Sequence, residues 1–123
     1  MNYKLSKNER LHSKKSIKEL FDKGSSFFLY PFKVLFLEAG DSETNQVLFS
    51  VSKRKIRKAV HRNHVKRRMK EAYRLNKHLL DAVEPDKKRN IALIYVSHEL
   101  QSFQDIQPKI IKILTKIAHT ETP

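Results

Sequence analysis

Three histidines, His61, His64 and His78, stand near a single carboxylate, Glu71, in a stretch otherwise crowded with arginine and lysine. Two kinds of chemistry use such residues. Imidazoles and carboxylates hold metal ions or relay protons, whereas guanidinium and ammonium groups grip phosphates. His64 and Glu71 are seven apart, so on a helix they share a face at a separation of two turns. A metal-dependent nuclease assembles several carboxylates. Glu71 is the one acid between Lys53 and Lys77, and the arginines around it repel a divalent cation. The expectation is therefore that the chain supplies no catalytic residue and no metal ligand, and that its histidines contact phosphate or base.

The cations of that window are the stronger signal. Between Lys53 and Lys77 stand twelve lysines and arginines, so this window carries +11 of the formal net charge of +13. Elsewhere 14 basic side chains face 12 acidic ones. A solvated helix intersperses acids at i, i+4 for support. Crowding of one sign costs stability unless a polyanion offsets it, which points to nucleic acid. An anionic membrane surface is the competing partner. The apolar face of this segment is needed to cover a sheet, however, and no tryptophan is present to anchor an interface. A helix-turn-helix would need a short helix just before the basic one, where the residues read as strand.

The elements that must position this segment follow from periodicity. Ser13 or Ser16 caps a short helix with Ile17, Leu20 and Phe21 on one face, and Gly24 suits a left-handed terminating position. Phe27–Leu37 alternates as a strand, or as two strands broken at Pro31. The run 40–45 is the best turn signal, and Gln46–Ser52 is a further strand expected to pair with the preceding one as a hairpin. Val65, Met69, Ala72, Leu75 or Asn76, Leu79 and Val83 form the apolar stripe of a helix from about Ala59 to Leu80. Asn90–Ser97 reads as a strand buried on both faces. A last amphipathic helix begins near Ser102 and carries Pro108 in its first turns. The expectation is an α+β sandwich, one mixed sheet with helices packed on it.

Composition bounds the rest. The 123 residues make a single domain, 1–123, whose ends (1–12 and 119–123) are expected to be mobile. With no cysteine there is no disulfide frame or thiolate zinc site, which fits a reducing cytoplasm. No apolar run approaches the roughly 18 residues of a membrane span.

At Val51-Ser52-Lys53-Arg54, and again from Ala59-Val60-His61-Arg62-Asn63-His64-Val65-Lys66-Arg67 through Glu71-Ala72-Tyr73-Arg74, the chain resembles the protein subunit of bacterial ribonuclease P. That family's pattern is a strand ending V-S-K-K, a short basic loop, then A-V-x-R-N-R-x-K-R-x-x-R-E. Arg10-Leu11, Phe21 and Gly24 extend the resemblance toward the N-terminus. The chain differs from the pattern at His64, whose charge depends on pH, and at Lys70, which lacks the guanidinium fork. Its loop, Lys55-Ile56-Arg57-Lys58, is one residue longer and more basic.

The resemblance implies a two-layer sandwich with a mixed four-stranded sheet and three helices in the order αβββαβα. Such a fold is ribosomal protein S5 domain 2-like, with a left-handed βαβ crossover. It implies an RNA-binding subunit that assists a catalytic RNA, with bound Mg2+, in removing the 5′ leader from precursor tRNA. The protein itself binds no cofactor tightly. Its partners are the catalytic RNA and the leader, with neither a membrane nor a further protein implied. The RNA contacts expected are Lys53, Arg54, Arg57, Lys58, Arg62, Asn63, His64, Lys66, Arg67, Arg68, Lys70 and Arg74. The leader cleft, between the sheet and the first helix, is expected at Ile17, Phe21, Phe36 and Ser50. The alternatives are a ribosomal-type structural RNA binder of similar fold and a stand-alone protein nuclease.

Overall fold

The computed structural model describes residues 5–40 and 42–120. A short 3-10 turn at Lys7–Glu9 precedes α1 (Lys14–Lys23), β1 (Ser25–Leu29), β2 (Phe32–Glu38), β3 (Gln46–Val51) and α2 (Ala59–Asn76). After α2 the chain tightens into a 3-10 segment, Lys77–Asp81, before β4 (Arg89–Tyr95) and α3 (Phe103–His119). The strands form one mixed sheet in the order β1-β2-β4-β3. β1 and β2 are an antiparallel hairpin joined through Tyr30 and a cis Pro31. β4 lies antiparallel to β2 and parallel to β3.

The expected hairpin between the second and third strands does not form. Both have β4 as their neighbour, because a strand as apolar as Asn90–Tyr95 is most fully covered at the centre of the sheet. Pairing β3 in parallel to β4 then requires a long connection, and α2 supplies it.

Alternation divides the sheet into two faces. Phe32, Val34 and Phe36 of β2, Val47, Phe49 and Val51 of β3, and Ile91, Leu93 and Tyr95 of β4 face α2 and α3 in the main core. Val65, Met69, Ala72 and Tyr73 of α2 and Ile106, Ile110, Ile113, Leu114 and Ile117 of α3 close over them. At 1.5–3 kcal/mol per large apolar side chain, this face supplies most of the drive to fold. A smaller cluster on the opposite face joins Leu11 and Leu20 to Leu35 and Ala92, with Ile17, Leu37, Leu48 and Ile94 packed around it. Thus α2 and α3 form one layer on the sheet, while α1 crosses part of its other side.

Ser13 caps α1, its Oγ accepting from the Ser16 N–H at 3.3 Å. Gly24 is not left-handed but extended, with φ −67° and ψ 152°. Its role is spatial: a Cβ there would lie 2.4 Å from the Leu20 carbonyl oxygen and 3.2 Å from that of Phe36. The positive φ falls on Gly40, at +65°, in the turn between β2 and β3. The α2 stripe holds through Ala72 but loses its register in the 3-10 turn, so Leu80 is buried and Val83 is 47% exposed.

Part of the N-terminal stretch expected to be mobile is anchored. The Leu11 N–H donates to the Val47 carbonyl at 2.9 Å, Arg10 bridges to Val47, and Leu11 is buried. Glu9 pairs with Lys77 at 2.8 Å. His119 is still within α3. Residues 1–4 and 121–123 of that expectation lie outside the described residues.

Candidate nucleic-acid interface

The cationic surface begins where β3 ends. The Ser52 N–H donates to the Tyr95 carbonyl at 2.9 Å, and the Ile56 N–H returns to the Ser52 carbonyl at 3.0 Å. Ile56 is buried in the main core and anchors a loop whose other members, Lys53, Arg54, Lys55, Arg57 and Lys58, are exposed. Helix α2 then starts at Ala59, preceded by Lys58 in the capping position, with no side-chain cap and no acid in its first turn. Its unpartnered N-terminal amides therefore add to the positive potential of the loop.

Along α2 the apolar stripe faces the sheet and the remaining side chains lie outside it. Asn63, His64 and Arg67 are exposed on the outward face, and His64, Arg67 and Arg68 line a shallow depression. Lys66 and Lys70 flank it toward the N-terminal stretch. Burial first, then the neighbouring charges of Arg10 and Lys66, pushes the Lys70 ammonium below its usual range. Arg10 thus joins the cationic field, a contribution the sequence reading did not assign. The signal was its place beside Leu11, which the buried edge contact with Val47 fixes.

Three of the expected RNA-binding arginines also hold the protein together. Arg62 Nη1 donates to the carbonyls of Ile56 at 3.0 Å and Arg57 at 2.6 Å. Arg68 Nη1 donates to the Gln101 carbonyl at 2.8 Å, tying α2 to the loop before α3. Arg74 binds Glu71 through Nη2 at 2.6 Å and Nε at 3.1 Å. That bond, more than any other cause, holds the Glu71 carboxyl below its usual range. Glu71 is therefore committed to an ion pair rather than poised as a base. Among the described residues, no three His, Asp or Glu side chains gather where they would hold a metal ion.

The second part of the surface is the sheet face that α1 leaves uncovered. Ile17 and Phe21 of α1 border it, Ile17 half-buried against the smaller cluster and Phe21 50% exposed. Ser50 belongs to the same face, since it alternates with Phe49 and Val51, which point into the main core. Phe36 does not belong there and is a correction to the expected cleft. β2 turns its ring to the other face, where it is buried and meets Phe27 edge-on with centroids 6.0 Å apart.

Register shows what the sequence reading missed. Ser50 pairs with Ile94, Ile94 with Lys33, and Lys33 with Phe28, so these four side chains form one row across the sheet. Reading Phe27–Leu37 as a strand with an uncertain break hid the face of Phe28. The hairpin at Tyr30-Pro31 settles it. The row begins at Ser50, three residues before Lys53 of the basic loop, so the open sheet face and the cationic segment are contiguous. Among the described residues, no helix is long and apolar enough to cross a membrane.

Comparison with known proteins agrees with this architecture. The family model described as Ribonuclease P matches residues 5–118. The chain is 40% identical over 118 residues to the ribonuclease P protein component of Porphyromonas gingivalis, covering 93% of this chain and 86% of the relative. It is 30% identical over 113 residues to that of Clostridium botulinum, covering 89% and 95%. Among solved structures, the RNase P protein of Staphylococcus aureus superposes with a TM-score of 0.73 at 22% identity, over 90% of this chain and 95% of that one. The RNase P protein from Thermotoga maritima gives 0.72 at 25% identity, over 88% and 96%.

Proposed function

This chain belongs to the ribonuclease P family, as a protein component of that tRNA-processing endoribonuclease, and from that premise we propose how it acts. The protein breaks no bond itself. The loop 53–58 and the outward face of α2 lie on the catalytic RNA of the complex, and the open sheet face beside α1 holds the single-stranded 5′ leader of precursor tRNA. The RNA subunit, with its own Mg2+, supplies the hydrolytic chemistry.

The observation that carries this reading is the continuity of the two surfaces. A strand entering along Ser50 meets Lys53 and Arg54 within the same chain turn. Both ends of one nucleic-acid path are thus met, phosphate by cations and unpaired base by apolar groups. Exposed Asn63, His64 and Arg67 face outward for phosphates, and Arg67 has the planar fork that fits them. Glu71, tied to Arg74, offers no competing base.

One reconstitution tests it. The chain is added to precursor tRNA with and without the cognate catalytic RNA, at near-physiological magnesium. Accelerated removal of the leader only when both are present supports the proposal. Cleavage by the protein alone overturns it in favour of a protein nuclease. Binding without any effect on the RNA's turnover favours a structural RNA binder. With about six phosphates contacted, log K falls against log salt with a slope near −4 to −5.

A further inference from the structure

The edge strand β1 and the turn that follows it carry two aromatic rings that the core does not use. Phe28 is 60% exposed and Tyr30 49%. Exposed apolar rings on an edge strand invite unwanted pairing, and proteins generally avoid them. These two are nevertheless held in place: their rings meet edge to face with centroids 6.5 Å apart. Tyr30 Oη and Ser97 Oγ share a hydrogen bond of 2.8 Å, which pins the second ring to the end of β4. The neighbouring Phe27 turns the other way, under Lys116 Nζ at 4.5 Å, so the sorting of rings between faces is complete.

Phe28 lies at the end of the row that runs through Lys33 and Ile94 to Ser50. The row crosses four strands, three inter-strand steps, or ~14 Å. It contains no acid, and an exposed lysine stands beside the ring. Aromatic faces next to cations hold unpaired bases by stacking and their phosphates by charge, with little regard for sequence. On the basis of the leader-binding reading above, we infer that Phe28 and Tyr30 form a stacking platform for single-stranded RNA at the far edge of the sheet. The platform extends the leader track from the basic loop across all four strands. Lys33 meets the phosphate between its two ends.

The occupant is RNA rather than a second copy of the chain for two reasons. Two copies meeting at this edge would bring Lys33 of one toward Lys33 of the other, within molecules that each carry +13. The row is also continuous with the most cationic part of the surface.

The test uses the reconstituted complex of chain and catalytic RNA with precursor tRNAs of graded leader length. Affinity of the wild-type complex is expected to climb with leader length and then level off. Phe28→Leu keeps apolar bulk but removes the ring. It should leave short-leader affinity unchanged, lower long-leader affinity about tenfold, and bring the plateau to a shorter leader. Phe28→Tyr should behave as wild type. Because Phe28 lies outside both cores, an unchanged unfolding midpoint for Phe28→Leu is expected and checks that the fold is intact. If Phe28→Leu tracks the wild type at every length while the wild type is length-dependent, the platform is refuted and leader binding stands. A wild-type complex indifferent to leader length refutes both. A concentration-dependent dimer of the free chain that Phe28→Leu dissolves would assign the surface to a second copy and overturn the inference.

Discussion

Arg62 closes the basic loop onto the helix that follows it, one guanidinium nitrogen bonding the carbonyls of both Ile56 and Arg57. A residue read from sequence as an RNA contact is thus also the clasp that shapes the contact surface. Arg62→Ala should cost about 1–2 kcal/mol of stability without unfolding the chain. Hydrogen exchange should locate the loss: the Ile56 amide, bonded to Ser52, loses protection while the α2 amides do not. Arg62→Lys, which keeps the charge but not the fork, should restore less than half of the RNA affinity. Full recovery by lysine would show that charge alone matters there.

The pair between Glu9 and Lys77 ties the N-terminal stretch to the end of α2. Burial opposes ionisation of Glu9, but the Lys77 hydrogen bond, the Ser6 N–H and the Lys77 charge together hold its carboxyl below the usual 4.5. A carboxyl depressed in the folded state stabilises above its unfolded value and loses that contribution as pH falls through the folded one. Urea unfolding should therefore show the wild type losing stability more steeply than Glu9→Gln as pH falls below the usual 4.5. Equal slopes would place the contact outside the folding equilibrium.

Lys70 has the opposite balance. Its ammonium is disfavoured in the folded protein, first by burial and then by Arg10 and Lys66. The free protein should gain stability as pH rises through the folded value of Lys70, below 10.5. Lys70→Gln should raise the melting temperature of the free chain at low salt, by an amount that shrinks as salt screens the repulsion. The same change should weaken RNA binding and flatten its salt slope by about one unit. Gains in both stability and affinity would remove Lys70 from the interface.

Gly24 sets how closely α1 lies on the sheet. Gly24→Ala places a methyl against the Leu20 and Phe36 carbonyls and should destabilise by about 1–3 kcal/mol. The displaced α1 moves Ile17 and Phe21 relative to Ser50, so leader-dependent affinity should fall more than affinity for the catalytic RNA. Calorimetry and binding to leaderless tRNA separate the two effects.

Much of this was legible in the residues. The charge run fixed the cationic surface, and the stripe of Val65, Met69 and Ala72 fixed which side of α2 carries it. Serine caps located the starts of α1 and α3, and periodicity located α2 and the strands to within a few residues. Pairing was less accessible. Nothing local in Gln46–Val51 says that its partner lies some forty residues ahead, since a turn signal favours the adjacent strand and only the burial of β4 overrules it. Phe36 and Phe28 illustrate the same gap at the site. Both are phenylalanines in apolar strands, and only the hairpin break at Pro31 decides that one is core and the other surface. Arg62 and Arg68 bond backbone carbonyls five or more residues away, a dual role that composition does not reveal.

The central position of β4 has a consequence for biosynthesis. Ser50 stands on one edge strand and Phe28 on the other side of the sheet, and neither strand is a neighbour of the other. Until Arg89–Tyr95 has emerged from the ribosome, the N-terminal hairpin and β3 lack the strand that lies between them. A nascent chain that already displays all twelve cations of the basic window therefore has no assembled groove to go with them. Attraction to RNA precedes shape during synthesis, and discrimination arrives only with the last strand.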